Sequence, residues 1–222
     1  MGQRLNILAS LTDKFLGKIL PLQNKNDVNL HQDAPPPRSR EDMVGDIDYT
    51  AYPDVAITNP TGKRKLFILD DIPETQILYA SDFDIIEKKH NKNIRKDFKI
   101  VKALGRTAGF TAHKYLVIED HAKIDFAMLD LTLGYVIPVG EGEFIEFDGI
   151  DVAIDILEKN PDAKIIFLTA HTIDIKNSAV VPVIKMYSEK YFEYTGLDLL
   201  KQCVPKDGDR VSAVIELLYS EK

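Results

Sequence analysis

Three apolar runs in this chain end in residues that could do chemistry. Leu66-Phe67-Ile68-Leu69 leads into Asp70-Asp71, Phe126-Ala127-Met128-Leu129 into Asp130, and Lys164-Ile165-Ile166-Phe167-Leu168 into Thr169-Ala170. Short apolar runs of this length read as strands buried on both faces, as in a parallel sheet. Their polar ends then share the carboxyl edge of that sheet, where open α/β folds bind ligands. Three carboxylates and a hydroxyl on one edge supply hard oxygen donors for a cation such as Mg²⁺ and a nucleophile on an aspartate. Without a cation the carboxylates repel one another, which raises the pKa of at least one.

The elements needed to position these groups follow from periodicity and punctuation. Strands are expected at 65–69, 98–104, 125–129, 164–168 and 180–184. Helical patterns cover 73–89, 111–119, 149–159, 197–204 and 210–219, with a short remnant at 173–178. The third of these helices opens at Phe147-Asp148-Gly149 and closes at Asn160-Pro161. Strands alternating with helices predict an α/β fold: a doubly wound, five-stranded parallel sheet covered on both faces. Between Gly134 and Phe147, two β-type runs flank Gly140-Glu141-Gly142-Glu143, the pattern of a small hairpin inserted after Asp130.

Residues 65–222 are thus read as one α/β domain, with an insertion at 134–147. Ahead of it, residues 1–22 place Leu5, Leu8, Leu11, Phe15 and Ile19 on one helical face before Pro21. Residues 23–64 read as linker and irregular extension, including Pro35-Pro36-Pro37 and a short strand at 54–58.

The bulk numbers exclude several classes. A net charge of −7 argues against non-specific nucleic-acid binding. The single cysteine, Cys203, excludes an internal disulfide framework and favours a reducing, cytoplasmic setting; it reads as a small core residue. No apolar run is long enough to span a bilayer, and residues 1–20 lack the pattern of a secretory signal. Gly105-Arg106-Thr107-Ala108-Gly109 lacks the Gly-Lys-Ser/Thr of a P-loop, and His113, His121 and His171 do not have metal-ligand spacing.

The order of these anchors resembles the receiver domain of two-component response regulators, a phosphoacceptor module of flavodoxin-like fold. The resemblance covers about residues 65–221. Asp70 and Asp71 match the acidic pair that helps hold a divalent cation, Mg²⁺, together with Asp130. Asp130 matches the phosphoacceptor, Thr169 the switch hydroxyl, and Phe147-Asp148-Gly149 the motif opening the third helix. The family's lysine after strand five is assigned to Lys185, following Val181-Pro182-Val183-Ile184, with Lys190 as the competitor; Met186 stands where the family usually has proline. Leu129-Asp130-Leu131-Thr132 more faintly resembles the haloacid-dehalogenase phosphatase signature, which needs an aspartate where Thr132 stands.

The resemblance implies a cytoplasmic signalling protein. Asp130 would accept a phosphoryl group from a histidine kinase or phosphotransfer protein and so switch contacts with a downstream protein. No DNA-binding output domain is recognised, so direct DNA binding is not expected. The N-terminal apolar stripe could dock in a partner groove or join two copies as a homodimer. The alternative is a phosphorylation-independent receiver-like scaffold, in which the insertion caps the acidic site.

Overall fold

The computed structural model describes residues 38–120, 123–140, 143–169, 181–206 and 209–220. The expected N-terminal helix, the proline run and the helical remnant at 173–178 lie outside them. The chain forms two compact units.

The smaller unit joins residues 38–48 to residues 137–145. Its helix α1 (Arg40–Gly45) is capped by Ser39, whose hydroxyl accepts from the Asp42 amide. Arg38 holds the unit together: its guanidinium donates to Glu143 at 2.9 Å, to the Val139 carbonyl at 2.6 Å, and to Asp46. This part of the expected linker is therefore structured.

The larger unit takes in Tyr49–Val136 and residues 146–220. In chain order its elements begin with β1 (Ala56–Thr58), β2 (Arg64–Asp70), α2 (Thr75–His90), α3 (Ile94–Asp97) and β3 (Phe98–Leu104). Next come α4 (Ala108–His113, continued by a π-turn over Lys114–Ile118) and β4 (Phe126–Asp130). The inserted hairpin, β5 (Val136–Gly140) and β6 (Glu143–Glu146), straddles the two units and forms its own two-stranded sheet. Then follow α5 (Gly149–Lys159), β7 (Lys164–Thr169), α6 (Val181–Thr195), a 3₁₀ turn (Leu199–Gln202), β8 (Cys203–Pro205) and α7 (Arg210–Tyr219).

The main sheet runs β1-β3-β2-β4-β7-β8. Its five longer-range pairings leave β3, β2, β4, β7 and β8 parallel, while β1 adds an antiparallel edge beside β3. In sequence order the parallel strands stand 2-1-3-4-5, the doubly wound order of flavodoxin-like folds. Strand periodicity explains both layers. Phe67, Leu69, Ala127, Leu129 and Phe167 face a core containing Leu116, Ile150, Ile156 and Tyr191. Leu66, Ile68, Phe126, Met128 and Leu168 face the opposite core with Tyr79, Phe83, Ile86, Val214 and Leu218. Each fully buried Leu, Ile or Phe contributes about 1.5–3 kcal/mol, and the two faces together fix the register.

Two expectations fail at the last strand. Val181-Pro182-Val183-Ile184 is not strand five but the start of α6. A proline in a first helical turn removes no intrahelical hydrogen bond, so the β-branched run does not prevent a helix. The fifth parallel strand is instead the three-residue β8, at a place expected to be helical. Pro205 is tolerated because β8 lies at the sheet edge.

Gly149 is set by close packing. A Cβ there would lie 2.0 Å from the backbone oxygen of Asp130, so only glycine lets α5 begin against the end of β4. Asp148 caps that helix reciprocally with Asp151. Gly149→Ala is expected to cost about 2 kcal/mol or more, because backbone cannot yield as a side-chain tip would. A urea melt showing less than 0.5 kcal/mol of loss (roughly the noise of a surface change) would contradict this packing.

Candidate functional site

Asp70 ends β2 and Asp130 ends β4, two strands paired in parallel with Leu66 opposite Phe126 and Leu69 opposite Leu129. Both aspartates therefore fall on the alternation that faces α2 and α7. Asp71 follows in the next loop. One carboxylate oxygen from each of Asp70, Asp71 and Asp130 lies within 4.8 Å of the others. The three acidic residues expected at the sheet edge are thus brought together.

The cation facing them is Lys206, the residue directly after β8. Its Nζ lies 2.6 Å from Asp130 Oδ2 and 3.0 Å from Asp70 Oδ2. Its backbone amide donates to the Thr169 carbonyl at 2.7 Å, tying it to the end of β7. Lys185 does not reach this site: it lies on α6, 70% exposed, 3.7 Å from Glu189. Lys190 is elsewhere too, pairing with Asp151 at 2.9 Å and Asp148 at 3.7 Å. The assignment to Lys185 followed from placing strand five at 180–184. The signal that would have found Lys206 is Val204-Pro205-Lys206 followed by Asp207-Gly208 and the final amphipathic helix.

The remaining contacts orient the acids. Asp70 is fully buried and accepts from the Tyr79 hydroxyl at 2.8 Å and the Ile72 amide at 3.0 Å. Asp71 accepts from the Gly134 amide at 3.2 Å, so the first residue of the insertion touches the site. Thr169, buried at the end of β7, stands one step beyond Leu168, the register partner of Asp130. Cys203 is half-buried on β8, and burial followed by the Asp198 charge pushes its thiol up to about 12, which disfavours the thiolate.

Burial is the largest influence on Asp130 and raises its carboxyl to about 6; Lys206 opposes the rise, while Asp70 and Asp71 add to it. Burial also works against the charge on Lys206, yet its contacts with Asp130 and Asp70 hold the ammonium above its ordinary value. Lys206 thus pairs with two of the three carboxylates, and the donor set is all hard oxygen. Such a set fits a divalent cation, since Mg²⁺ takes a few carboxylates and keeps several waters.

No family model matches the chain, and no curated protein matches it. Several solved response-regulator receiver domains do. One is in the CheX–CheY–BeF₃–Mg²⁺ complex from Borrelia burgdorferi, 18% identical over 71% of this chain and 90% of that one, with a TM-score of 0.41. Another is a Burkholderia pseudomallei response regulator with a phosphorylated aspartic acid, calcium ion and citrate, at 14% identity, 71% and 68% coverage and a TM-score of 0.39. A CheY-like receiver domain protein from Methanospirillum hungatei matches at 14% identity, 69% and 88% coverage and a TM-score of 0.38. At such identities and TM-scores the likeness adds nothing to the strand order already established. Among the described residues no helix is long and apolar enough to cross a membrane.

The raised Asp130 carboxyl has a signed consequence. Between its ordinary 3.8 and about 6 the folded chain holds more protons than the unfolded one, so stability falls as pH rises through that window. Asp130→Asn removes this dependence. In chelator at pH 7.5 it should be more stable than wild type by on the order of 1–3 kcal/mol, with the difference closing near pH 4. Urea melts at both pH values check this, and an equal difference at the two would refute it.

Proposed function

We propose that this chain is a receiver-type signalling phosphoacceptor: Asp130 takes a phosphoryl group with Mg²⁺ as the expected cation, and the modified chain changes its protein contacts. The observation that carries this reading is the Lys206 ammonium lying between Asp130 and Asp70 at the carboxyl edge of the sheet. An ion pair placed there lies where a parallel sheet binds ligands, not where it builds its core.

A carboxylate oxygen of Asp130 forms the new bond to phosphorus. The donor's P–O or P–N bond breaks, and the leaving group departs with the electron pair. Asp70, Asp71 and Asp130 would hold the cation, which when bound supplies charge neutralisation on the transferring group. Phosphoryl transfer needs little else from a protein beyond position and electrostatics. Lys206, in the role first assigned to Lys185, turns one ammonium toward the incoming oxygens while its main chain stays fixed to Thr169. Asp70 is kept in place by Tyr79 and by the Ile72 amide. The Thr169 hydroxyl, at the neighbouring strand end, is the group that would hydrogen-bond a new phosphoryl oxygen and couple phosphorylation to a conformational change. The donor would be a histidine kinase or phosphotransfer protein, and the output a protein partner.

The test is incubation with Mg²⁺ and acetyl phosphate, followed by intact mass. Wild type should gain one phosphoryl group and Asp130→Asn none. Lys206→Ala should lower the rate by about 10²-fold, as for loss of one charge-stabilising donor. Thr169→Ala should still be modified but lose the phosphorylation-dependent change in partner binding. An adduct on Asp130→Asn would place the chemistry elsewhere. No adduct and no beryllofluoride binding would leave the interaction scaffold as the better reading.

A further inference from the structure

Arg210 opens α7, where a cation opposes the helix dipole, so local helix stability gives no reason for it. Its tertiary contacts do. The guanidinium forks onto Asp82 of α2, with Nε 2.9 Å from Oδ2 and the second terminal nitrogen 3.2 Å from Oδ1. Its remaining terminal nitrogen donates to the backbone carbonyl of Lys206. Asp82 is only 4% exposed, one helical turn after Tyr79, whose hydroxyl holds Asp70. A buried ion pair of this kind offers little net stability over an apolar pair of similar shape. What it does offer is geometry: a planar fork with directional donors.

Lys206 is consequently gripped by the backbone on both sides of its Cα. Its amide is fixed to Thr169 and its carbonyl to Arg210, while its ammonium spans Asp130 and Asp70. β8 ends at Pro205, so the Lys206 amide closes the last hydrogen bond of the β7–β8 pairing and the Lys206 carbonyl lies beyond it, where Arg210 takes it up.

We infer that Arg210, held by Asp82, is a positioning residue for Lys206, and that this pair sets the reach of the ammonium to the Asp130 carboxylate. The inference rests on the receiver reading for its effect on rate, but the mechanical link stands on the contacts alone. Arg210 grips Asp82 and the Lys206 carbonyl, and it acts through Lys206. A loss of the grip lets the lysine drift, and a displacement of about 1 Å can cost about 10²-fold in a positioned reaction.

The test compares Arg210→Gln and Asp82→Asn, each in wild-type and Lys206→Ala backgrounds, using the full chain. With acetyl phosphate and Mg²⁺, each substitution should lower the limiting phosphorylation rate by about 10-fold or more with donor half-saturation unchanged. In the Lys206→Ala background neither should lower it further. Arg210→Lys, which keeps the charge without the fork, should recover only part of the rate. Independently of activity, amine acetylation in chelator, read by peptide mass, should rise several-fold at Lys206 and stay unchanged at Lys190. Equal rate losses in both backgrounds, or unchanged Lys206 labelling in a folded Arg210→Gln or Asp82→Asn protein, would overturn the inference. If wild type takes up no phosphoryl group, the receiver reading fails while the labelling arm still decides the link. Asp82→Asn nearly preserves shape, so it gives the answer should Arg210→Gln fail to fold.

Discussion

Two carboxylates, Asp70 and Asp130, meet at the ends of adjacent buried strands, and their charges repel unless a cation stands close by. At a separation near 4 Å, like charges repel by about 4 kcal/mol even at a generous interior dielectric, before the cost of burial. Lys206 answers that constraint, and much of the larger unit is arranged around bringing it there. Strand alternation turns Asp70 and Asp130 toward the layer of α2 and α7, and those two helices supply Tyr79, Asp82 and Arg210. The same alternation that sorts Leu66 and Phe67 to opposite cores therefore also selects which helices can support the site.

That link between periodicity and chemistry explains how much of the fold the sequence makes legible. Strands at 98–104 and helices at 149–159 and 210–219 were legible because each has a strong pattern and clear ends. Asp70, Asp71, Asp130 and Thr169 were legible because they follow long apolar runs. The hairpin was legible from its glycines. The lysine was not, because its strand is three residues long and ends in proline, too short to show any period. The run at 180–184 is β-branched and looks more like a strand than β8 does. It nonetheless enters a helix at Val181, with Pro182 in the first turn. Arg210 was equally hidden, since a lone arginine at a helix start shows nothing of a partner on α2.

The additions to the basic five-stranded sheet have different physical roles. β1 extends the edge beside β3 as an antiparallel strand, three residues long and polar at its end. A short strand at that margin limits further edge pairing with other chains. The insertion after Asp130 begins with Gly134, whose amide occupies one oxygen of Asp71. Asp71 is thus the acid whose ligand capacity depends on a loop, whereas Asp70 and Asp130 depend on strands and on a lysine.

The shortness of β8 separates the durability of the fold from that of the site. Four parallel strands carry long ladders and two apolar cores, while the strand that delivers Lys206 pairs over only Phe167–Cys203, Leu168–Val204 and Thr169–Pro205. Opening of that edge needs few broken hydrogen bonds and belongs to the low end of the local-unfolding spectrum. The sheet can therefore remain intact while its charged centre comes apart, leaving Asp70 and Asp130 side by side without the ammonium. Amide exchange along β8 would report how often that happens.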